Sequence, residues 1–319
     1  MAVPTDSILQ VYSETEFEKK DSETYMPKAS KSTYQVYQIN HPIVQTAPVI
    51  FASPHSGRDY SPEFIASSRL NKLKLRRSED AFLDEVFKNA PDKGAPILYA
   101  KFPRSYVDAN REPYELDPTM FCETLPNYAN KSSPRITAGL GTIAKIVAEG
   151  EEIYHKLLKV DDALKRIEIF YRPYHKALQG LLNKTTAQFG SCLLVDCHSM
   201  PSSAAPPSKR SGKQVDIVLG DCFSTSCSSE VTEIAQQALQ SAGLSVIRNK
   251  PYAGGFTTRN YGHPKNSIHV LQIEINRGLY MDEKRILRGP GMKVLTQNMT
   301  KLICALTKID PKILYAKEN

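Results

Sequence analysis

The 319-residue sequence has no tryptophan, few cysteines and no long apolar run, and each absence narrows the class of protein. The six cysteines form no C-x-x-C pair and are too few for a disulfide scaffold of this length, so we expect free thiols. No stretch approaches the roughly 18 apolar residues of a membrane span. The first residues also lack the basic and apolar segments of a secretory signal. We therefore expect a cytoplasmic protein without a membrane partner.

Negative charge is in the minority: 34 aspartates and glutamates stand against 41 lysines and arginines, which gives a formal net charge of +7. The basic residues are spread through surface-like segments and are not interleaved with aromatic residues, so we expect no nucleic-acid partner. A basic balance also suits a site that takes small anions. Nothing in the pattern indicates an oligomeric state.

Short apolar runs alternate with longer segments of helical period from residue 36 onwards. This alternation predicts one α/β domain over residues 36–319, with a sheet covered by helices on both faces. Residues 1–35 are polar and aperiodic, and we expect them to form an N-terminal arm. The predicted strands are PVIFAS, PILYAKF, CLLVDC, VDIVLG, LSVIRN and HVLQIEI.

Capping residues and apolar periodicity predict the helices. Ser78 is placed to cap a helix that runs to Ala90, and GTIAKIVAEG is typical of a helix that ends on glycine. The remaining predicted helices span residues 161–189, with an interruption near Pro173, the segment SSEVTEIAQQALQSAG, and residues 282–308, with a break at 289–291.

Two histidines occupy the same topological place, at the end of a predicted strand. His55 follows VIFAS, and His198 follows LLVDC. Functional groups collect at such strand ends in α/β sheets, and neutral imidazole is a favoured zinc ligand. A single histidine of this kind is more often a satisfied core residue or a loop cap. The matching positions of the two favour a shared divalent metal.

A third ligand is expected from the segment RRSEDAFLDEVF. Asp80 shares a predicted helix face with Leu83 and Phe87, so it is expected to point inward. Glu79 lies about 100° round the same helix and is the weaker candidate. The alternative is that both carboxylates only complement the dipole of the helix.

Glu274 stands inside the apolar run VLQIEI, where a carboxylate is costly unless it is paired or used. It is either a general base beside a metal site or the partner of an arginine such as Arg277, Arg104 or Arg111. No serine lies in a G-x-S-x-G elbow, so a serine nucleophile is disfavoured.

Two further segments could bind an anionic substrate. FPRSYVDANREPYELD carries Arg104, Asn110 and Arg111, and guanidinium groups bind carboxylates in a bidentate way. The alternative is a surface cluster of ion pairs. PYAGGFTTR offers the Gly254–Gly255 pair, which lets backbone approach a ligand closely, but its spacing fits no phosphate or dinucleotide loop.

Taken together, the motifs resemble those of the N-formylglutamate amidohydrolase family in a consistent order from about residue 48 to 285. They are SPHSGRDY, RRSEDAFLDEVF, FPRSYVDANREPYELD, AGLGTIAKIVAEG, YRPYHKAL, DCHSMPS, DIVLGDCFSTSC, NKPYAGGFTTRNYG and LQIEINRGLYMDE. The resemblance implies a phosphorylase/hydrolase-like α/β fold with a mixed central sheet, similar to zinc carboxypeptidases and aspartoacylase. It also implies a metal-dependent cleavage of N-formyl-L-glutamate to glutamate and formate, in histidine breakdown.

The resemblance also implies roles for single residues. In the carboxypeptidase-like relatives a H-x-x-E pair and a later histidine hold zinc, but Arg58 stands here where that glutamate would be, so the carboxylate ligand is expected to be Asp80, with Glu79 as the alternative. The expected site therefore comprises the Zn²⁺ or other divalent-metal ligands His55, Asp80 and His198, the catalytic residues Glu274 and Arg104, and the substrate-binding residues Asn110, Arg111, Gly254, Gly255, Thr257 and Arg277.

The expected ligand is a small anionic N-acyl amino acid. Two alternatives remain open at this point. One is an amidohydrolase of the same architecture that acts on a different N-acyl amino acid, and the other is a carboxylate-binding protein of the same fold without catalytic activity.

Overall fold

The structure, a computed structural model, describes residues 35–147, 150–207 and 214–316. Residues 1–34 of the expected N-terminal arm lie outside this range. The described part forms one α/β domain around a seven-stranded sheet in the order β1-β3-β2-β4-β7-β5-β6, with a separate two-stranded ribbon. The strands are β1 (Tyr37–Asn40), β2 (Val49–Ser53), β3 (Ile97–Ala100), β4 (Cys192–Met200), β5 (Ile217–Gly220), β6 (Val246–Arg248), β7 (Ile268–Asn276), β8 (Met281–Asp282) and β9 (Leu287–Arg288).

The central sheet is mixed, as expected. Strands β3, β2, β4 and β7 are parallel neighbours, and β5 pairs parallel with β6. Strand β1 runs antiparallel to β3, and β5 runs antiparallel to β7. All six predicted strands are present. The prediction missed β1, whose sequence YQIN is only half-buried and lacks the apolar run that marks the others.

Helices cover both faces of the sheet and bury it on each side. Successive residues of β2 point to opposite faces: Val49 and Phe51 pack into one apolar core with α3, α7 and α9, and Ile50 and Ala52 pack into the other with α6. The α-helices are α1 (Pro62–Ser67), α2 (Lys72–Leu75), α3 (Leu83–Val86), α4 (Pro134–Thr137), α5 (Val160–Arg166), α6 (Arg172–Phe189), α7 (Ser229–Ser241), α8 (Phe256–Tyr261) and α9 (Met292–Thr307).

Two helix predictions are confirmed. The predicted interruption near Pro173 is a π-helical turn, Ile167–Tyr171, between α5 and α6. Pro173 has no N–H to donate, so a regular helical bond is lost there. Helix α7 begins after Ser228, whose side chain accepts a hydrogen bond from the amide of Val231.

The predicted helix from Ser78 to Ala90 is wrong. The segment forms a 3-10 turn, Arg76–Ser78, and the single turn α3, separated by residues 79–82, of which Phe82 has a left-handed φ of 68°. The amide of Asp80 donates to the carbonyl of His55 over 3.0 Å, so this segment is tied to the end of β2 instead of continuing a helix.

Of the other two predictions, the helix in GTIAKIVAEG is wrong, and the helix over residues 282–308 is confirmed only after its predicted break at 289–291. Residues 141–147 of GTIAKIVAEG are irregular, since Thr142 exchanges backbone hydrogen bonds with Asp108 and Glu115. The segment before residue 289 forms the ribbon β8–β9, where the carboxylate of Asp282 accepts from the amide of Arg285, and only α9 follows as a helix.

All six cysteines are free, as expected. None of the helices in the described ranges is both long and apolar enough to cross a membrane.

Candidate active site

The predicted site residues meet in a cavity of about 520 Å³ at the carboxyl ends of β2, β3, β4 and β7. All of them except Thr257 line its wall. Thr257 is buried behind the wall at 1% exposure. Residues that line the cavity without having been assigned a role from the sequence include Arg77, Ser105, Asp108, Arg135, Leu140, Ser199, Tyr252 and Gln272.

The two histidines and Asp80 converge on one point of this cavity. His55 Nδ1 and His198 Nδ1 lie 3.3 and 3.0 Å from the same atom, Asp80 Oδ2. All three side chains are buried, and one ligand atom from each lies within 4.8 Å of the others. The parallel neighbours β2 and β4 bring the histidines together, with His198 on the last residues of β4 rather than after it.

The Nε2 atom of each imidazole ring, which faces away from Asp80, contacts a further carboxylate. His55 Nε2 lies 2.7 Å from Asp108 Oδ1, and His198 Nε2 lies 3.0 Å from Asp196 Oδ2. In the neutral form of the rings that binds a metal through Nδ1, each Nε2 carries the proton and donates it to its carboxylate. In a neutral ring the Nδ1 atom then directs a lone pair at Asp80 Oδ2, which is also an acceptor.

Three such lone pairs repel one another unless a cation lies among them. Ligand bonds of about 2.0–2.2 Å at tetrahedral angles separate neighbouring ligand atoms by about 3.3–3.6 Å. The two contacts of Asp80 Oδ2, at 3.0 and 3.3 Å, come near that spacing, and all three ligand atoms lie within 4.8 Å of one another. Metal-binding histidines also donate their other N–H to a carboxylate. The group His55, Asp80 and His198 therefore fits a metal ion.

The electrostatic field at the group also favours positive charge. Burial alone would lower the pKa of His198, but the carboxylates of Asp196, Asp80 and Glu274 raise it well above its ordinary value. Burial would likewise raise the pKa of Asp80, yet the hydrogen bonds and charges of His198 and His55 hold it well below its usual range. Asp80 is therefore ionised and available as a ligand at neutral pH.

Arg277 and Ser199 fix the other oxygen of Asp80. Arg277 Nη2 donates to Asp80 Oδ1 over 3.0 Å, and Ser199 Oγ donates to the same atom over 3.2 Å. Arg277 Nε also donates to Ser199 Oγ, and the residue is only 6% exposed. These bonds leave Asp80 Oδ2 facing the histidines. Arg277 lies in the cavity wall as expected, but its guanidinium is engaged by Asp80.

Glu79, the alternative to Asp80, faces away from the histidines. Arg76 holds its carboxylate with two nitrogens, at distances of 2.9 and 3.1 Å. Arg58, which stands in place of the relatives' glutamate ligand, donates to Asp84 over 2.9 Å. Of the candidate carboxylates, only Asp80 joins the group of possible metal ligands in the described residues.

Glu274 lies directly opposite His198 on the neighbouring strand β7. The residue is 8% exposed, and its carboxylate accepts a hydrogen bond of 3.0 Å from Gln272 Nε2. Burial raises the pKa of Glu274 to about 7, against the opposing effect of His198 and Arg104. A carboxyl group with such a pKa can both take and give a proton at neutral pH.

Arginines crowd one wall of the cavity around Asp108. Arg104 Nη2 donates to Asp108 Oδ2 over 2.8 Å, and Arg111 Nη2 lies 3.8 Å from the same oxygen. Burial, followed by the charges of Arg104 and Arg135, lowers the pKa of Arg111 against the effect of Asp108. Because Arg104 and Arg111 share the single carboxylate of Asp108, this wall carries more positive than negative charge, which suits an anionic ligand.

The Gly254–Gly255 segment approaches Asn110 closely. A Cβ atom on Gly255 would lie 2.3 Å from Asn110 Nδ2, so glycine is required at this position. Gly255 N donates to Gln272 Oε1 over 2.7 Å, and Thr257 N donates to Asn110 Oδ1 over 2.8 Å. The segment therefore packs on the residues that surround the histidines.

For some of the cavity residues that were assigned no role from the sequence, the sequence pattern does indicate a place in the site. Asp196 lies in an apolar strand two residues before His198, so both point to the same face, and this is the signal that marked Glu274. Arg135 carried none, because it reaches the cavity from the separate turn α4.

Comparisons with known sequences agree with this architecture. The sequence model of the N-formylglutamate amidohydrolase family matches residues 47–281. An N-formylglutamate deformylase of Pseudomonas putida is 28% identical over 265 residues, which cover 80% of this chain and 92% of that protein. An N-formylglutamate deformylase of Pseudomonas aeruginosa is 25% identical over 240 residues, which cover 74% and 83%.

Solved structures show the same fold. The crystal structure of N-formylglutamate amidohydrolase from Ralstonia eutropha JMP134 has a TM-score of 0.80 and 30% identity, and the similarity covers 86% of this chain and 97% of that one. A protein of Agrobacterium tumefaciens at 16% identity and a TM-score of 0.55, covering 85% of this chain and 97% of that one, shares the fold alone. Since the family match extends over most of the chain, the protein belongs to the N-formylglutamate amidohydrolase family.

Proposed function

We propose that this protein hydrolyses N-formyl-L-glutamate to L-glutamate and formate with the help of a divalent metal ion. The observation that carries the proposal is the buried group His55, Asp80 and His198 with Glu274 on the adjacent strand, in a cavity whose wall is rich in arginine. Relatives named N-formylglutamate deformylase support the choice of substrate.

The proposed metal is Zn²⁺, held by His55 Nδ1, His198 Nδ1 and Asp80 Oδ2. Two imidazoles and a carboxylate are a donor set that zinc accepts, and it leaves a position open for a catalytic role. When bound, the ion supplies Lewis acidity that polarises a carbonyl and lowers the pKa of a water molecule to about 7. Asp108, Asp196 and Arg277 keep the three ligands in orientation.

Glu274 is the proposed general base. With a pKa of about 7 it is about half ionised in neutral solution, and the ionised form can accept a proton from the attacking water. It then gives this proton to the departing amine, which leaves poorly without it. Gln272 holds the carboxyl group in place through its 3.0 Å hydrogen bond.

Arg104 is the proposed stabiliser of the negative charge that develops on the formyl oxygen. Its Nη2 is bound to Asp108, which orients the remaining N–H groups of the fork. Removal of one such donor costs about 3 kcal/mol in the activation free energy. The substrate carboxylates are proposed to meet Arg111 and the backbone at Gly254, both of which line the cavity.

The biological setting is part of the same proposal. We propose that the protein acts in the cytoplasm, in the breakdown of histidine. The family resemblance supports the pathway, and the lack of a long apolar run in the sequence supports the location.

The test combines metal content with a substrate panel. Chelation should abolish formate release from N-formyl-L-glutamate, and added Zn²⁺ should restore it. N-formyl-L-aspartate, N-acetyl-L-glutamate and N-formyl-L-leucine should turn over more slowly. Full activity of the metal-free protein would refute the metal dependence of the reaction. Faster turnover of another substrate would indicate a different amidohydrolase, and glutamate binding without any turnover would indicate a carboxylate-binding protein.

A further inference from the structure

Both polar atoms of the Asn110 carboxamide contact protein groups at the wall of the cavity. The side chain is 4% exposed. Its Oδ1 accepts from Thr257 N over 2.8 Å, and its Nδ2 lies 3.5 Å from Asp196 Oδ2 and 3.1 Å from His198 Nε2. The oxygen is engaged by the backbone of α8, and one of the two N–H groups of Nδ2 is directed at Asp196. The contact with His198 Nε2 is not a hydrogen bond when that nitrogen carries the proton shared with Asp196.

The partners also fix which way the amide points. A backbone N–H only donates, so the atom of Asn110 that faces Thr257 is the oxygen. The amide nitrogen therefore faces Asp196, which also receives the proton of His198 Nε2. Asn110 and His198 thus donate to the same carboxylate oxygen. Asn110 connects the start of α8 with the carboxylate that orients His198.

The backbone around Asn110 is held from the helical layer. His175 Nε2 donates to the carbonyl of Ala109 over 2.9 Å, and Tyr171 Oη donates to the carbonyl of Arg111 over 2.7 Å. Burial lowers the pKa of His175 to about 4, so the ring is neutral at pH 7. Tyr171 is the last residue of the π-helical turn, a distortion often found at functional sites.

We propose that Asn110 is a positioning residue for Asp196 and His198 rather than a ligand of the substrate. This inference replaces the substrate-binding role expected from the DANR motif, and it rests on the proposed metal site. If the amide is removed, Thr257 N and Asp196 Oδ2 each lose a partner, and the ring of His198 loses a constraint on its orientation. Replacement of a residue that orients a metal ligand without binding the metal itself typically lowers metal affinity by about 10-fold to 100-fold.

The test measures metal retention and steady-state kinetics in Asn110→Ala and Asn110→Asp. For Asn110→Ala we expect Zn²⁺ affinity, measured by chelator competition, to fall by about 10-fold to 100-fold. With saturating Zn²⁺, kcat for N-formyl-L-glutamate should fall while KM changes by less than about threefold, since a poorly oriented His198 weakens transition-state stabilisation without removing a contact to the substrate. Asn110→Asp keeps an acceptor for Thr257 but loses the donor to Asp196, so it should show the same two changes.

The matched control is Arg111→Gln, which changes the next residue of the turn. It should retain Zn²⁺ like the wild type and raise KM. The inference is overturned if Asn110→Ala, or Asn110→Asp where the alanine variant does not fold, keeps wild-type Zn²⁺ affinity and kcat but raises KM more than tenfold. Chelator competition needs no substrate, so it tests Asn110 even if N-formyl-L-glutamate is not hydrolysed. Binding of L-glutamate by calorimetry then replaces KM.

Discussion

Replacement of Glu274 by glutamine separates the proposed chemistry from metal binding. The glutamine oxygen can still accept from Gln272 Nε2, so the side chain should keep its place while losing the ability to carry a proton. General acid–base catalysis contributes about 10²-fold to 10⁴-fold. With about 1.4 kcal/mol per factor of ten, the activation free energy should rise by about 3–5 kcal/mol. The Zn²⁺ content should equal that of the wild type.

Because the pKa of Glu274 is about 7, both the activity and the stability of the protein should depend on pH near neutrality. The rate of the wild type should decline as pH falls below about 7, because the carboxylate of Glu274 becomes protonated. The pH–rate profile of Glu274→Gln should lack this decline. Because the pKa is raised in the folded state, the contribution of Glu274 to stability is present at low pH and lost as pH rises through 7. The metal-free variant should therefore be about 3 kcal/mol more stable than the metal-free wild type at pH 8 and equal to it at pH 4.

Formate release between pH 5 and 9 and denaturant unfolding of the metal-free proteins measure these effects. The matched control is Glu233→Gln on α7, an exposed carboxylate paired with Arg248, which should leave both profiles unchanged. Wild-type turnover in Glu274→Gln at full Zn²⁺ occupancy would refute the role of Glu274 as the base. A wild-type rate that stays constant down to pH 5 would refute its titration near 7.

Three further predictions follow from the described contacts. Asp196→Asn should weaken Zn²⁺ binding by about 10-fold to 100-fold in a metal titration, and unchanged affinity would show that the carboxylate does not orient its histidine. Gly255→Ala should lower the free energy of unfolding by about 1–3 kcal/mol because its Cβ meets Asn110, whereas Gly180→Ala, whose Cβ meets nothing within 4 Å on α6, should raise it by about 1 kcal/mol. Burial holds the pKa of His175 near 4, so the unfolded state binds the extra proton and stability should increase by about 3 kcal/mol from pH 4 to 6.5. Unfolding at several pH values should show a flatter dependence in His175→Gln, and an equal slope would contradict the burial effect.

The central strands were predictable because the sheet is buried on both faces. A strand covered on both sides is apolar at every position, and β2 and β4 have this character. Strand β1 pairs only with β3 at the edge and is half-buried, so its sequence carries no such run. The failed helices were decided by contacts between distant residues, as where Thr142 bonds to the backbone of Asp108 and Glu115.

Within the site, the sequence indicated the polar residues that strands carry to one edge. His55, His198 and Glu274 follow from this rule. Asp80 was predicted for a reason that the structure corrects, since it lies in a turn tied to the carbonyl of His55 and not on a helix face. The engagement of Asn110 by Thr257 depends on a pairing across 147 residues that no local pattern reports.

The pairing of β4 with β7 places one part of the cavity on the central sheet and leaves another part to turns outside it. Nine consecutive residue pairs join these two central strands, and they set His198 opposite Glu274. The wall that carries Arg135 and Leu140 belongs instead to short turns outside the sheet. We expect residue exchanges in those turns to change the wall of the cavity while the pairing of His198 with Glu274 stays intact. A library confined to residues 135–147 would show whether this wall selects the substrate.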